Sequence, residues 1–349
     1  MTGTKEPEFE LEETDEIIKR FGYEVEAYEV FTERRNQQNY YSQVYRIKGK
    51  NGEVPRVDLP PVLLMHGLMG SSSDFVFAGE RLGLGFHLAK NGFDVWLGNF
   101  RGNYYGGLKN HKEMDKIFWD FSFDEMGTND LYAIIRFILD ATKASKVSYV
   151  GFSMGATAAY VMLSSEPQTN QWISRMVNIA PVAYLDYSEM TFIERLSAYV
   201  FEGYNAAPNL LFDSPNYKMT PLQFSKTPKC FKSKFKGWCD SFFNGGEFKK
   251  FSYGRLADEE KYSLYGGKPP AYGLDKIKVP TLLIRGSKDR FVNDENIEFL
   301  KKVLTGVPSV QILELHDYNH LDFLLANNLD TAVFEPLTRY LKTGNYRQP

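Results

Sequence analysis

The stretch Val150-Gly151-Phe152-Ser153-Met154-Gly155 decides how this chain is read. It follows the apolar run Val147-Ser148-Tyr149-Val150, which has the character of a buried strand. It opens the small-residue segment Ala156-Thr157-Ala158-Ala159-Tyr160, which has the character of a helix. A serine between two glycines at such a junction has the G-x-S-x-G form of a nucleophile elbow. The spacing has a steric cause: the turn is so sharp that side chains at Gly151 and Gly155 would strike neighbouring backbone, and the serine must accept a strained conformation. Its hydroxyl is then presented at a helix N-terminus, where peptide dipoles favour a developing negative charge. The plainer reading of Ser153 is a helix N-cap; the strand before it and the small residues after it favour the elbow.

Outward from the elbow, strand and helix alternate. Val62–Met65, Val95–Leu97, Met176–Ile179, Thr281–Ile284 and Val310–Leu313 are continuous apolar runs, as expected of strands covered on both faces. Helix-period stretches lie between them at Phe77–Lys90, Phe123–Lys143, Ser153–Ser165, Asp294–Leu304 and Thr331–Lys342. The pattern predicts an α/β fold: a mostly parallel central sheet with helices on both faces. Tyr23–Ile47 alternates instead and predicts an antiparallel edge hairpin turning at Glu33–Gln38. Residues 1–13 are charged and aperiodic and read as a flexible tail, leaving 14–184 and 277–349 as the core. The interval 185–276 breaks the alternation, with many aromatics and prolines and no strong apolar run. It is expected to be an inserted cap over the carboxyl ends of the strands, where open α/β sheets bind ligands.

A serine hydroxyl needs a base, and five histidines are available: His66, His87, His111, His316 and His320. The chain order serine, acid, histidine leaves His316 and His320. His320 lies in the loop Asp317–His320 and can reach over the nucleophile; His316 closes a strand and is expected to be a partly packed, neutral residue. The acid is expected at Asp289, where the strand Leu282–Ile284 runs into a glycine-containing turn. Asp294 reads as a helix N-cap, and Asp322 is too near His320 in sequence for the same role. A metal reading of His316, His320 and Asp322 supplies too few ligands, so no metal is assigned. Two backbone N–H groups are needed to hold an oxyanion. Met154, after the serine, and Leu68, in the loop His66-Gly67-Leu68-Met69-Gly70-Ser71, are the candidates. Arg101, in the loop Gly98–Asn103, is expected to brace loops rather than to touch a substrate.

Composition narrows the field. Of the 349 residues 43% are apolar and 15% aromatic, enough for a large core and an apolar pocket; the net charge of −3 gives no basic face for nucleic acid. The basic run Lys226–Lys236 is interleaved with Phe and Trp and reads as a solvated loop or cap helix. Two cysteines, Cys230 and Cys239, allow one local bridge and no disulfide framework. No stretch is apolar enough to span a membrane, no apolar leader opens the chain, and no Asn-x-Ser/Thr acceptor occurs. Taken alone, these features suit a cytoplasmic chain or a mature form without its leader.

The combination resembles the acid lipases, the α/β-hydrolase family that includes gastric and lysosomal acid lipase. The resemblance rests on Phe21-Gly22-Tyr23, on Leu63–Ser71, and on Asn91–Asn103 with its Trp96-Leu97-Gly98-Asn99-Phe100-Arg101-Gly102-Asn103 string. It also rests on Phe118–Met126, the Ser153 elbow, Ala180–Ala183, Gly286–Asp289 and Tyr318-Asn319-His320-Leu321-Asp322-Phe323. It implies a cofactor-free serine lipase acting on acyl esters of neutral lipids, triacylglycerols or sterol esters. It implies the triad Ser153, Asp289 and His320 with oxyanion donors at Leu68 and Met154. It also implies a Cys230–Cys239 disulfide and a secreted or lysosomal setting. The chain departs from the family in having Phe152 and Met154 about the serine, where His and Gln are usual, and in a shorter interval before Pro280. That shortening keeps open a carboxylesterase for soluble esters. A non-catalytic lipid-binding protein is the reading from another class. The cap aromatics, among them Phe192, Tyr199, Phe224 and Trp238, read as the cap's own core or as a transient contact patch for a lipid droplet or membrane surface.

Overall fold

The computed structural model describes residues 12–32, 40–50, 52, 55–56, 58–68, 70–108, 121–183 and 248–348. Among them nine strands form one sheet: β1 (Tyr23–Phe31), β2 (Tyr40–Lys50), β3 (Val62–Met65), β4 (Val95–Gly98), β5 (Gly106–Leu108), β6 (Val147–Phe152), β7 (Ile173–Ile179), β8 (Thr281–Gly286) and β9 (Val310–Leu315). The order is β1-β2-β4-β3-β6-β7-β8-β9, with β5 beside β2. β1 and β2 form the expected antiparallel hairpin; its turn at Glu33–Gln38 lies outside the described residues. From β4 to β9 along this order every pairing is parallel.

Burial explains the sequence pattern. Every residue of β3, β4, β6 and β8 is buried, so both faces of the sheet's centre are covered and the strands read as solid apolar runs. The edge strand β9 is only half-buried despite its similar sequence. The helix Met154–Ser165 is buried along all but its last residue, which its run of Gly and Ala permits by letting backbone approach backbone.

The chain leaves β3 toward β4 on one side and later returns to β6 on the other. The carboxyl ends of β3 and β6 therefore flank the point where strand order reverses, the usual ligand crevice of an open α/β sheet. The elbow lies at the end of β6, and the loop His66–Ser71 at the end of β3.

Several predicted helices are subdivided. Phe77–Lys90 is two short helices, Gly79–Leu82 and Leu84–Lys90, separated by extended Gly83. Phe123–Lys143 starts at a capping box between Ser122 and Glu125, passes through a π-helical turn at Met126–Leu131 and continues as Tyr132–Thr142. Thr331–Lys342 likewise begins with a π turn, Asp330–Phe334, before Glu335–Thr343; Pro336 can give no N–H to the regular ladder there. Of the expected cap, 185–247 lie outside the described residues, as do Cys230 and Cys239 with their expected disulfide. Residues 248–276 carry a bridge between Lys249 and Ala271 and the helix Arg255–Lys261. They pack Phe248, Phe251 and Tyr272 around Phe123. No described helix is long and apolar enough to cross a membrane.

The loop after β4 is locked to the π turn by a buried ion pair. Arg101 Nη2 lies 2.6 Å from Asp130 Oδ1, with side-chain exposures of 1% and 0%. The Arg101 backbone N–H donates to the same carboxylate at 3.0 Å, Nη2 donates to Thr32 Oγ1 at 3.1 Å, and the guanidinium lies 4.1 Å from the Tyr40 ring centroid. Arg101 thus braces loops, as its sequence position suggested. Removing one partner strands the other charge in the core. Arg101→Ala or Asp130→Ala is expected to cost about 3–5 kcal/mol in urea unfolding, and the apolar pair Arg101→Met/Asp130→Leu clearly less.

Candidate active site

The backbone of Ser153 stands at φ 50° and ψ −111°, a region that side-chain-bearing residues rarely occupy. Its neighbours hold it there. Ser153 N–H donates to Ile179 O at 2.9 Å, and its own carbonyl accepts from Ala156 N–H at 2.9 Å. A Cβ on Gly155 would stand 2.4 Å from Met65 O, and one on Gly151 would stand 2.7 Å from Ala156 N. Both glycines are therefore dictated by contact distance. Tyr149 Oη donates to Gly155 O at 2.6 Å from beneath the turn.

His320 and Asp289 converge on this serine. His320 Nε2 lies 2.9 Å from Ser153 Oγ, and Nδ1 lies 2.8 Å from Asp289 Oδ2. An ionised carboxylate only accepts, so this geometry puts the ring hydrogen on Nδ1 and leaves the Nε2 lone pair toward the serine. The other Asp289 oxygen accepts from the N–H groups of Phe291 (2.9 Å) and Val292 (3.2 Å), so both oxygens of this buried group are engaged. The His320 loop is closed by its neighbours: Asp322 Oδ2 accepts from Asn319 N–H at 2.6 Å, and Asn319 Oδ1 accepts from the N–H groups of Leu321 and Asp322. It is also laced to the acid loop, since Lys288 N–H donates to Tyr318 O at 3.0 Å and Asp317 N–H to Ser287 Oγ at 2.9 Å. Sequence reasoning gave Asn319 and Asp322 no such role, although their Asx pattern was open to view.

The two expected backbone donors, Met154 and Leu68, directly follow Ser153 and Gly67. Met154 is the first residue of its helix, so its N–H has no carbonyl of that helix to reach. Leu68 follows Gly67, whose Cβ, if present, would stand 3.3 Å from Ser153 Cβ and 2.8 Å from Phe152 Cδ1. This loop is braced from behind. His66 is buried, with Nδ1 2.7 Å from Gly67 O and Nε2 accepting from Phe100 N–H at 3.1 Å. Burial holds its imidazole down to about 4, so it stays neutral through most of the acid range. Asn99 accepts from Ser72 N–H at 2.9 Å and donates to Gln43 O at 2.9 Å. Asp74 presses its carboxyl against Gly70 in the same loop.

Other candidates lie elsewhere. His316, expected to be partly packed, is exposed, its Nδ1 2.9 Å from Asp317 Oδ2, because it falls just beyond the half-buried edge strand β9. Asp294 does not cap its helix: Asn293 does, accepting from Asn296 N–H at 3.0 Å, while Asp294 pairs with Arg285. His87 lies against Phe334, 5.4 Å between ring centroids, and His111 is outside the described residues. Among the described residues no three His, Cys, Asp or Glu are grouped to hold a metal ion.

A family model described as the alpha/beta hydrolase fold matches residues 60–326, and one described as a partial alpha/beta-hydrolase lipase region matches 14–79. Gastric triacylglycerol lipase of Mus musculus is 30% identical, the match covering 96% of this chain and 92% of that protein. The chain belongs to the acid lipase family. This lipase-family hydrolase is also similar to Lipase 1 of Drosophila melanogaster (29% identical, covering 94% of this chain and 79% of the relative). Lipase member K of Homo sapiens is 28% identical, covering 92% and 88%. Among solved structures, a carboxylesterase of Bacillus subtilis superposes with TM-score 0.56 at 15% identity, over 95% of this chain and 96% of that one. An esterase of Pyrococcus furiosus gives 0.52 at 19%, over 93% and 94%. These two share the fold.

Two buried groups by the β3 loop make stability depend on pH in opposite directions. Burial pushes the Asp74 carboxyl up to about 7, opposed by its bond with the Ser71 backbone. The folded chain keeps a proton there that the unfolded chain releases above about 4. Asp74's contribution is therefore full below about pH 4 and is lost as pH rises toward 7. His66 acts in reverse: the unfolded chain takes up a proton below about 6.5 that the folded chain refuses until about 4, so stability falls as pH falls through that window. Asp74→Asn is expected to match wild type near pH 4 and to exceed it by roughly 1–3 kcal/mol at pH 8 in denaturant unfolding.

Proposed function

We propose that this protein hydrolyses acyl esters of neutral lipids, triacylglycerols or sterol esters, through an acyl-enzyme on Ser153. The observation that carries the reading is the continuous relay from Ser153 Oγ through His320 to Asp289, at 2.9 and 2.8 Å. In the first step Ser153 Oγ attacks the ester carbonyl carbon while its proton passes to His320 Nε2. Asp289 steadies the resulting imidazolium through Nδ1–H. The tetrahedral oxyanion is held by the N–H groups of Leu68 and Met154. Donors fixed in the backbone need no reorganisation, and losing one costs on the order of 10²–10³ in turnover. As the tetrahedral centre collapses, His320 returns the proton to the departing alcohol. Water then attacks the acyl-enzyme by the same proton path, releasing the fatty acid and restoring Ser153. None of these steps calls on a cofactor.

The substrate class rests on the relatives, one of which is named as a gastric triacylglycerol lipase. We further propose that residues 185–276 form a cap over the site, and that its aromatics meet the lipid surface.

The test is release of fatty acid from a long-chain triacylglycerol emulsion beside hydrolysis of a dissolved short-chain ester, with Ser153→Ala as control. Wild type is expected to act on the emulsion, and Ser153→Ala to lose on the order of 10⁶ of kcat. Asp289→Asn is expected to lose about 10⁴. Serine-dependent activity confined to the dissolved ester would move the substrate to soluble esters. Absence of turnover together with absence of fluorophosphonate labelling at Ser153 would overturn the enzymatic reading.

A further inference from the structure

His320 is held by more than its two hydrogen bonds. Its ring centroid lies 5.2 Å from that of Phe152, at an interplanar angle of 36°, and 4.8 Å from that of Phe291, at 60°. Each phenylalanine is tied to another member of the relay. Phe152 directly precedes Ser153, and Phe291 donates its backbone N–H to Asp289 Oδ1 at 2.9 Å. Phe152 is buried and Phe291 half-buried.

The two hydrogen bonds leave one motion weakly restrained. Both run from nitrogens in the imidazole plane, so a small tip of that plane that pivots on Nδ1 and swings Nε2 sideways is resisted only weakly by the bond to Asp289. It nevertheless turns the Nε2 lone pair away from Ser153 Oγ, and hydrogen-bond strength falls steeply with misalignment. The His320 side chain keeps 15% of its surface exposed, so there is space for such a tip. Contacts with the flanks of the ring are what oppose it.

We propose that Phe152 and Phe291 are positioning residues, an aromatic clamp that fixes the tilt of His320 and keeps Nε2 aimed at Ser153 Oγ during proton transfer. The proposal rests on the triad reading given above. Neither ring is assigned a contact with substrate. The clamp also acts unevenly along the reaction: once the imidazole has taken the serine proton it is a cation beside aromatic rings, an arrangement they favour. Interactions that strengthen only as charge develops raise kcat and leave KM nearly unchanged. The residue before the nucleophile therefore has a job that the G-x-S-x-G pattern leaves unspecified, and the planar ring of Phe152 performs it.

The experiment measures kcat and KM on a dissolved p-nitrophenyl ester, together with the rate at which a fluorophosphonate labels Ser153. It uses Phe152→Leu, Phe291→Leu, and the ring-retaining Phe152→Tyr and Phe291→Tyr; thermal unfolding reports whether each variant is folded. Each leucine variant is expected to lose about tenfold in kcat and in labelling rate with KM within about twofold, and each tyrosine variant to stay within about threefold of wild type. Leucine variants with unchanged kcat, or tyrosine variants as slow as leucine, would overturn the clamp. If a Phe152 variant fails to fold, the half-buried Phe291 pair decides the matter alone. Hydrolysis that survives in Ser153→Ala would instead overturn the triad reading, and the clamp with it.

Discussion

The first turn of the helix Met154–Ser165 rests directly on the end of β3, so close that Gly155 has no space for a methyl group beside the Met65 carbonyl. The candidate site follows from this approach. It forces the reversal at Ser153 into a left-handed backbone conformation, lifts the hydroxyl clear of the sheet, and brings the loop after β3 to the side of the nucleophile. The same packing puts the Met154 N–H and the His66–Ser71 loop on one crevice, at the point where strand order reverses. Strain at one residue persists because a helix buried along all but its last residue and a wholly buried strand over-determine it.

Around that fixed point the structure commits its polar groups in advance. Both Asp289 oxygens are engaged, one by His320 and one by two backbone N–H groups. The loop carrying His320 is closed by Asn319 and Asp322, and the loop after β3 by His66 and Asn99. The Arg101–Asp130 pair then ties the neighbouring loop to the π turn of the helix behind it. Such groups are oriented before any charge develops, which is the condition under which dipoles stabilise a transition state most effectively.

Membership of the acid lipases puts the departures about Ser153 in a physical light. Phe152 and Met154 stand where His and Gln are usual in the family. A backbone donor at Met154 does not depend on its side chain, and Phe152 packs a ring against His320. The changes therefore alter the lining of the crevice and spare the hydrogen-bonded relay. The pH behaviour of the β3 loop has a similarly local cause, since His66 and Asp74 are both buried beside it and shift in opposite directions.

The sequence by itself determined the fold class and the main strands of the sheet, and it named Ser153, Asp289 and His320, which the structure brings together. Solid apolar runs at Val62–Met65, Val147–Val150 and Thr281–Ile284 are direct consequences of burial on both faces. The glycines about Ser153 report a steric constraint that no other residue satisfies. Chain order left His316 and His320 as the histidines, and position in a loop after a strand favoured His320 and Asp289. What only the tertiary structure decided were matters of distance between segments far apart in the chain. The partner of Arg101 is Asp130, 29 residues away, and no local pattern announces it. The π turns, the cap at Asn293 in place of Asp294, and the exposure of His316 depend on what each segment packs against. The two rings beside His320 arrive from different loops, and nothing in G-x-S-x-G asks for either. Periodicity and sterics act within a few residues and so are written in the sequence; contacts across the sheet exist only once its strands are in order.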